Sequence, residues 1–188
     1  MTTTIRAGAA ALALACGCGE DDPESGGLPA PKGGAYGPDI ALTSTAFADG
    51  EVIPDRYTCN GDGVSPPLSW ANVPAGTKSF AIVVDDPDAA KKVFVHWVAW
   101  AIAGDETMLI ESIAPVDEDF VQGRNDTGDA GYAPPCPPSD DEPHRYEHHI
   151  FAVDFVPNLP LETTRDELYR RLDGRVLAKG ELVGLFGR

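Results

Sequence analysis

The chain has 188 residues, with 30 Asp or Glu against 14 Lys or Arg and a formal net charge of -16. Such an excess of acid argues against nucleic acid and the surfaces of anionic bilayers as partners, because both require clustered Lys and Arg. The length fits one domain of about 150 residues behind a low-complexity start, enough to bury roughly 70% of its unfolded surface.

From the N-terminus, residues 1–18 read as an export signal. Arg6 supplies one positive charge, an apolar run from Ala7 to Ala15 is too short to span a bilayer, and Cys16 and Cys18 follow among small residues. Leu12-Ala13-Leu14-Ala15-Cys16 looks like a bacterial lipoprotein signal, in which the cysteine becomes the lipidated N-terminus. Cys16 is preferred to Cys18, although Ala13 stands where a larger aliphatic residue is usual. The expected location is the bacterial cell envelope, on the periplasmic or extracellular face, with membrane attachment only through the lipid. Residues 19–38, rich in Gly, Pro and acid, read as a flexible tether, and residues 39–188 as the folded domain.

The domain is patterned mostly as strand. Residues 40–45 alternate, whereas 79–84, 93–103 and 147–156 are apolar on both parities, as expected in the middle of a covered sheet. Pro and Gly clusters at 66–67, 74–76, 134–135 and 137–138 mark ordered loops. One helix is predicted: Thr164-Arg165-Asp166-Glu167 makes a capping box, Leu168 and Leu172 lie four apart, and Gly174 closes the end. If the chain is exported, Cys59 and Cys136 are an even pair in an oxidising compartment, for which a disulfide is the default reading.

Two segments carry the chemistry. Asp85-Asp86-Pro87-Asp88 runs into His96-Trp97, and Gly123-Arg124-Asn125-Asp126 runs through Cys136-Pro137-Pro138 to His144-Arg145-Tyr146. With Cys59-Asn60-Gly61, Ser65-Pro66-Pro67-Leu68-Ser69-Trp70, Val73-Pro74-Ala75-Gly76 and the ending Gly184-Leu185-Phe186-Gly187-Arg188, they cover roughly four fifths of the chain. In that order the segments resemble the phosphatidylethanolamine-binding protein family, in its bacterial branch related to Raf kinase inhibitor protein. The resemblance implies a mainly β fold, a Greek-key β-sandwich with a large central sheet and one or two short helices. It also implies a Cys59–Cys136 pairing, and a ligand pocket bordered by Asp86, Asp88, His96, Pro135, His144 and Tyr146.

Residue chemistry adds reasons. Strand alternation places His96 on a face with Phe94, Val98 and Trp100, and places His144 with Tyr146 while Arg145 points away. Asp86 is the carboxylate expected to hold an imidazole in one tautomer and raise its pKa, favouring the cation that an anion needs. His148 shares the parity of His144, so it either extends the pocket or is an edge histidine. Asp126, followed by glycines, reads as turn chemistry.

The favoured function is non-enzymatic binding of a small anionic ligand, such as a phospholipid head group or a phosphorylated partner, without cofactor or metal. The family resemblance adds a kinase or protease as protein target, and a homodimer is left open. The rival class is a metal-assisted hydrolase using His96, His144, His148 and Asp86.

Overall fold

The computed structural model describes Met1, residues 28–32 and residues 39–188. The export signal, Cys16 and Cys18 therefore lie outside the described residues. In chain order the elements are β1 Ala41–Thr43, β2 Glu51–Val52, a 3-10 turn Asp55–Tyr57, β3 Leu68–Ala71, β4 Ser79–Asp86, β5 Phe94–Ala103, β6 Met108–Leu109, β7 Val121–Gln122, β8 His144–Val153, α1 Arg165–Leu172 and β9 Val176–Phe186. They form a three-stranded sheet, ordered β1-β3-β6, and a six-stranded sheet, ordered β2-β9-β8-β4-β5-β7. The fold is the mainly β sandwich expected, with a large central sheet and one α-helix.

The apolar runs explain the layering. β4 is buried at every position and lies between β8 and β5, where both faces are covered. Phe80, Ile82 and Val84 face the small sheet with Trp70 and Leu68, whereas Ala81 and Val83 face α1 with Leu168 and Leu172. Fully burying each of those two leucines contributes about 2 kcal/mol. The helix begins as expected, with the Glu167 carboxylate accepting from the Thr164 N–H at 2.8 Å, and Gly174 ends it at φ +73°.

Strict alternation fails in β5. Val84 pairs with Trp97 and Asp85 with Val95, so His96 is the extra residue of a β-bulge. The expectation that His96 shares a face with Val98 and Trp100 is therefore corrected. Those two pack toward α1, while His96 stays with Phe94, their rings 4.8 Å apart. A second irregularity follows, with Ala101 at φ +61°.

Part of the predicted tether is seated on the domain. The Lys32 N–H donates to Asp173 at 3.0 Å, the Gly174 N–H donates to the Lys32 carbonyl at 2.8 Å, and Pro31 is buried.

Candidate functional site

A cavity of about 410 Å³ opens where β4 ends and β5 and β8 begin, beside the proline-rich loop. Its walls are largely apolar, from Phe94, Ala133, Pro134, Pro137 and Pro138. Six polar side chains reach it: Asp86, His96, Thr127, Asp141, His144 and Tyr146. Four of them were expected there.

Asp86 is the last residue of β4, and both of its oxygens are used. One accepts the Asp88 N–H at 2.9 Å, closing the Asp-Pro-Asp turn; the other accepts the His144 Nδ1–H at 2.8 Å. The imidazole is thus held with Nε2 directed at Asp141, 3.4 Å from its carboxylate. Burial alone would lower the His144 pKa. The hydrogen bonds and charges of Asp86 and Asp141 together outweigh it and raise the pKa above the usual 6.5.

His96 is the opposite case. Its Nδ1 lies 2.8 Å from the Ala133 carbonyl, which only accepts, so Nδ1 carries the proton and Nε2 of the neutral ring is a lone pair. Burial lowers its pKa. At neutral pH the pocket therefore holds one imidazole that protonates readily and one that stays neutral. Tyr146 completes the set with its ring edge-on to His96, centroids 5.2 Å apart. Its hydroxyl is buried and has no hydrogen-bond partner among the described residues. Burial, then the nearby Asp86 and Asp88 charges, push its pKa well up, so the hydroxyl remains a donor.

Two predicted pocket residues lie off the lining. The Asp88 carboxylate turns outward and grips Arg145, accepting from Nη2 at 2.8 Å, Nε at 3.0 Å and the backbone N–H at 2.9 Å. Pro135 is buried behind the wall and its carbonyl accepts the Cys59 N–H at 3.0 Å, while its neighbours Pro134 and Cys136 border the cavity. Asp88 and Pro135 thus position the pocket without facing it. Cys59 and Cys136 are disulfide-bonded, with Cα atoms 5.4 Å apart. With the Tyr132 hydroxyl donating to the Tyr57 carbonyl at 3.0 Å, this bond pins the proline loop to the 3-10 turn. Asp126 buttresses β5 from outside, accepting the Val95 N–H at 3.0 Å and Lys92 Nζ at 3.0 Å.

His148 does not extend the pocket. It shares a strand face with His144 and Tyr146, yet it is fully buried one step deeper, with Nδ1 3.0 Å from the Tyr146 carbonyl and its ring 5.6 Å from Phe47. Burial pushes its pKa down to about 4. The ligand set of the hydrolase reading is not brought together: among the described residues, His96, His144, His148 and Asp86 do not form a group of converging ligand atoms. Asp141 was missed. It sits in Asp140-Asp141-Glu142, which by sequence is indistinguishable from a solvated acidic loop.

Comparison with known proteins identifies the family and the fold. The family profile described as "Phosphatidylethanolamine-binding protein" matches residues 43–187. A "UPF0098 protein" of Methanothermobacter thermautotrophicus is 43% identical over 150 residues, covering 78% of this chain and 98% of the relative. One from Chlamydia muridarum is 39% identical over 155 residues, with the same shares covered. Among solved structures, a "Putative PhosphatidylEthanolamine-Binding Protein (PEBP) Homolog", CT736 of Chlamydia trachomatis, is similar with a TM-score of 0.74 and 36% identity over 80% of this chain and 98% of its own. E. coli YbcL, described as "a new member of the mammalian PEBP family", gives 0.75 and 29% over 80% and 99%.

Proposed function

The chain belongs to the phosphatidylethanolamine-binding protein family, and we propose that it is a non-enzymatic binding protein whose pocket takes a small phosphate-bearing head group. The observation that carries this reading is the Tyr146 hydroxyl, a buried donor without a partner, beside an imidazole that Asp86 biases toward the cation. A buried unpaired donor costs about 1–3 kcal/mol, which an oxyanion in the pocket would offset. The two carboxylates favour a zwitterion over bare phosphate. With His144 protonated, Asp86 and Asp141 still leave one net negative charge, which an ammonium group would neutralise while the phosphate meets His144 Nε2 and Tyr146 Oη.

We further read the protein as exported and lipid-anchored through Cys16, with a kinase or protease as a protein target of the same pocket. The lipoprotein-like start supports the first part, as does the disulfide, which belongs to an oxidising compartment.

Calorimetry with O-phosphorylethanolamine tests the pocket. Saturable binding is expected, weakened about tenfold by Tyr146→Phe, the worth of one hydrogen bond of about 1.4 kcal/mol, and further by His144→Ala. Sulfate keeps its charge and isolates the protein's own titration. Because the His144 pKa is raised, the cation is present below it, and sulfate affinity should fall as pH rises through that value toward 8. Sulfate binding that ignores both pH from 5 to 8 and the two substitutions would overturn the proposal.

A further inference from the structure

The face of the large sheet turned away from the pocket carries a side-chain cluster that the binding reading does not use. Along β8, Glu147 and His149 are two apart and project to the same side, and β9 pairs in register so that Glu181 lies directly opposite His149. His149 Nδ1 is 3.3 Å from a Glu181 oxygen and Nε2 is 3.5 Å from a Glu147 oxygen. One ligating atom from each of the three residues lies within 4.8 Å of the other two. Two of the neighbouring charges are engaged elsewhere. Asp85, opposite Glu147 on β4, is bound by Arg165 at 3.0 Å, and Arg145 is turned to Asp88 at 2.8 Å, approaching the other Glu147 oxygen only at 3.5 Å. A groove of about 460 Å³, bordered by Asp39, Phe151, Lys179 and Gly180, opens beside His149 and Glu181.

We propose that Glu147, His149 and Glu181 bind one divalent ion of the first-row transition class, with Zn²⁺ the reference ion. An imidazole with two carboxylates is a borderline donor set that suits Zn²⁺ and its neighbours, whereas Ca²⁺ and Mg²⁺ take oxygen ligands almost alone. Bond lengths of about 2.0–2.2 Å place tetrahedral ligand atoms roughly 3.4 Å apart. The set therefore has to draw in by about an ångström. Glu181, 55% exposed, has the freedom to make that movement, while the central strands hold His149 in place. A neutral imidazole and two carboxylates carry two negative charges in a chain of net charge -16, so a divalent ion neutralises the cluster and is attracted to it. Three protein ligands leave the fourth position to water, open to the groove.

The test is calorimetric titration of the full chain with zinc chloride, with Cys16 and Cys18 changed to Ser so that the N-terminal thiols do not compete. One saturable micromolar site is expected. His149→Ala should weaken it at least tenfold and Glu181→Gln severalfold, while His144→Ala in the pocket leaves it unchanged. Glu181 is exposed, so its substitution keeps the test decisive if His149→Ala fails to fold. Absence of saturable binding up to millimolar zinc would overturn the proposal, as would zinc binding that survives the His149 and Glu181 substitutions but is lost in His144→Ala.

Discussion

The four histidines of the chain show how far burial and a single partner separate chemically identical groups. His144, backed by Asp86 and Asp141, is raised; His96, against a carbonyl, is lowered; His148, fully enclosed, falls to about 4. The last of these is a stability statement. An unfolded imidazole takes up its proton near pH 6.5, whereas folded His148 resists until about pH 4, so its contribution is present above pH 6.5 and lost as pH falls between the two values. Each unit within that window costs about 1.4 kcal/mol. Urea unfolding at pH 6.5 and pH 5 should therefore differ by about 1.5 kcal/mol on account of His148, with His96 contributing in the same direction and His144, whose pKa is raised, opposing it. His148→Phe, which keeps a ring against Phe47, should remove most of that difference; an unchanged difference would place the acid sensitivity elsewhere. The partner of each imidazole was only partly legible. Asp86 was identifiable from its motif, but the tautomer of His96 is set by a carbonyl thirty-seven positions away, which residue types do not announce.

At the scale of elements, the helix and the doubly covered strands were legible because each is written in local chemistry. The Thr164–Glu167 capping box and the apolar run 80–84 of β4 depend on residues within a few positions of each other. The bulge at His96 was not legible, since it arises from a register shift between β4 and β5 that preserves both apolar runs. That shift matters to the site: it allows the imidazole of His96 to face the pocket while Val98 and Trp100 remain under α1. The proline loop depends on the disulfide in a similar way. Closing 77 positions between Cys59 and Cys136 stabilises by up to about 4.5 kcal/mol in the chain-entropy model. Cys59→Ser should lower stability by a few kcal/mol, read from denaturant midpoints, and should weaken head-group binding because Cys136 and its neighbours form the wall. Full stability after the substitution would mean that the loop is held by its prolines and the Tyr132–Tyr57 bond alone.

At the scale of the molecule, the fold follows from apolar runs that cover both faces of one sheet, and the family motifs locate the pocket at its end. Two whole-molecule features escaped the sequence. Residues 28–32 carry tether-like composition yet dock on the end of α1, the Lys32 backbone donating to the Asp173 carboxylate and accepting from the Gly174 N–H, which composition does not encode. Asp141 joins the pocket only because its loop folds over the start of β8. The resulting distribution of the histidines provides internal reporters for the central claim, with His96 and His144 at the cavity and His148 and His149 away from it. Imidazole ¹H–¹⁵N spectra of the chain, titrated with O-phosphorylethanolamine, read all four at once. Saturable shifts of His96 and His144, with His148 and His149 left in place, are the predicted result; spectra in which the two pocket rings do not move at saturating ligand would contradict the binding account.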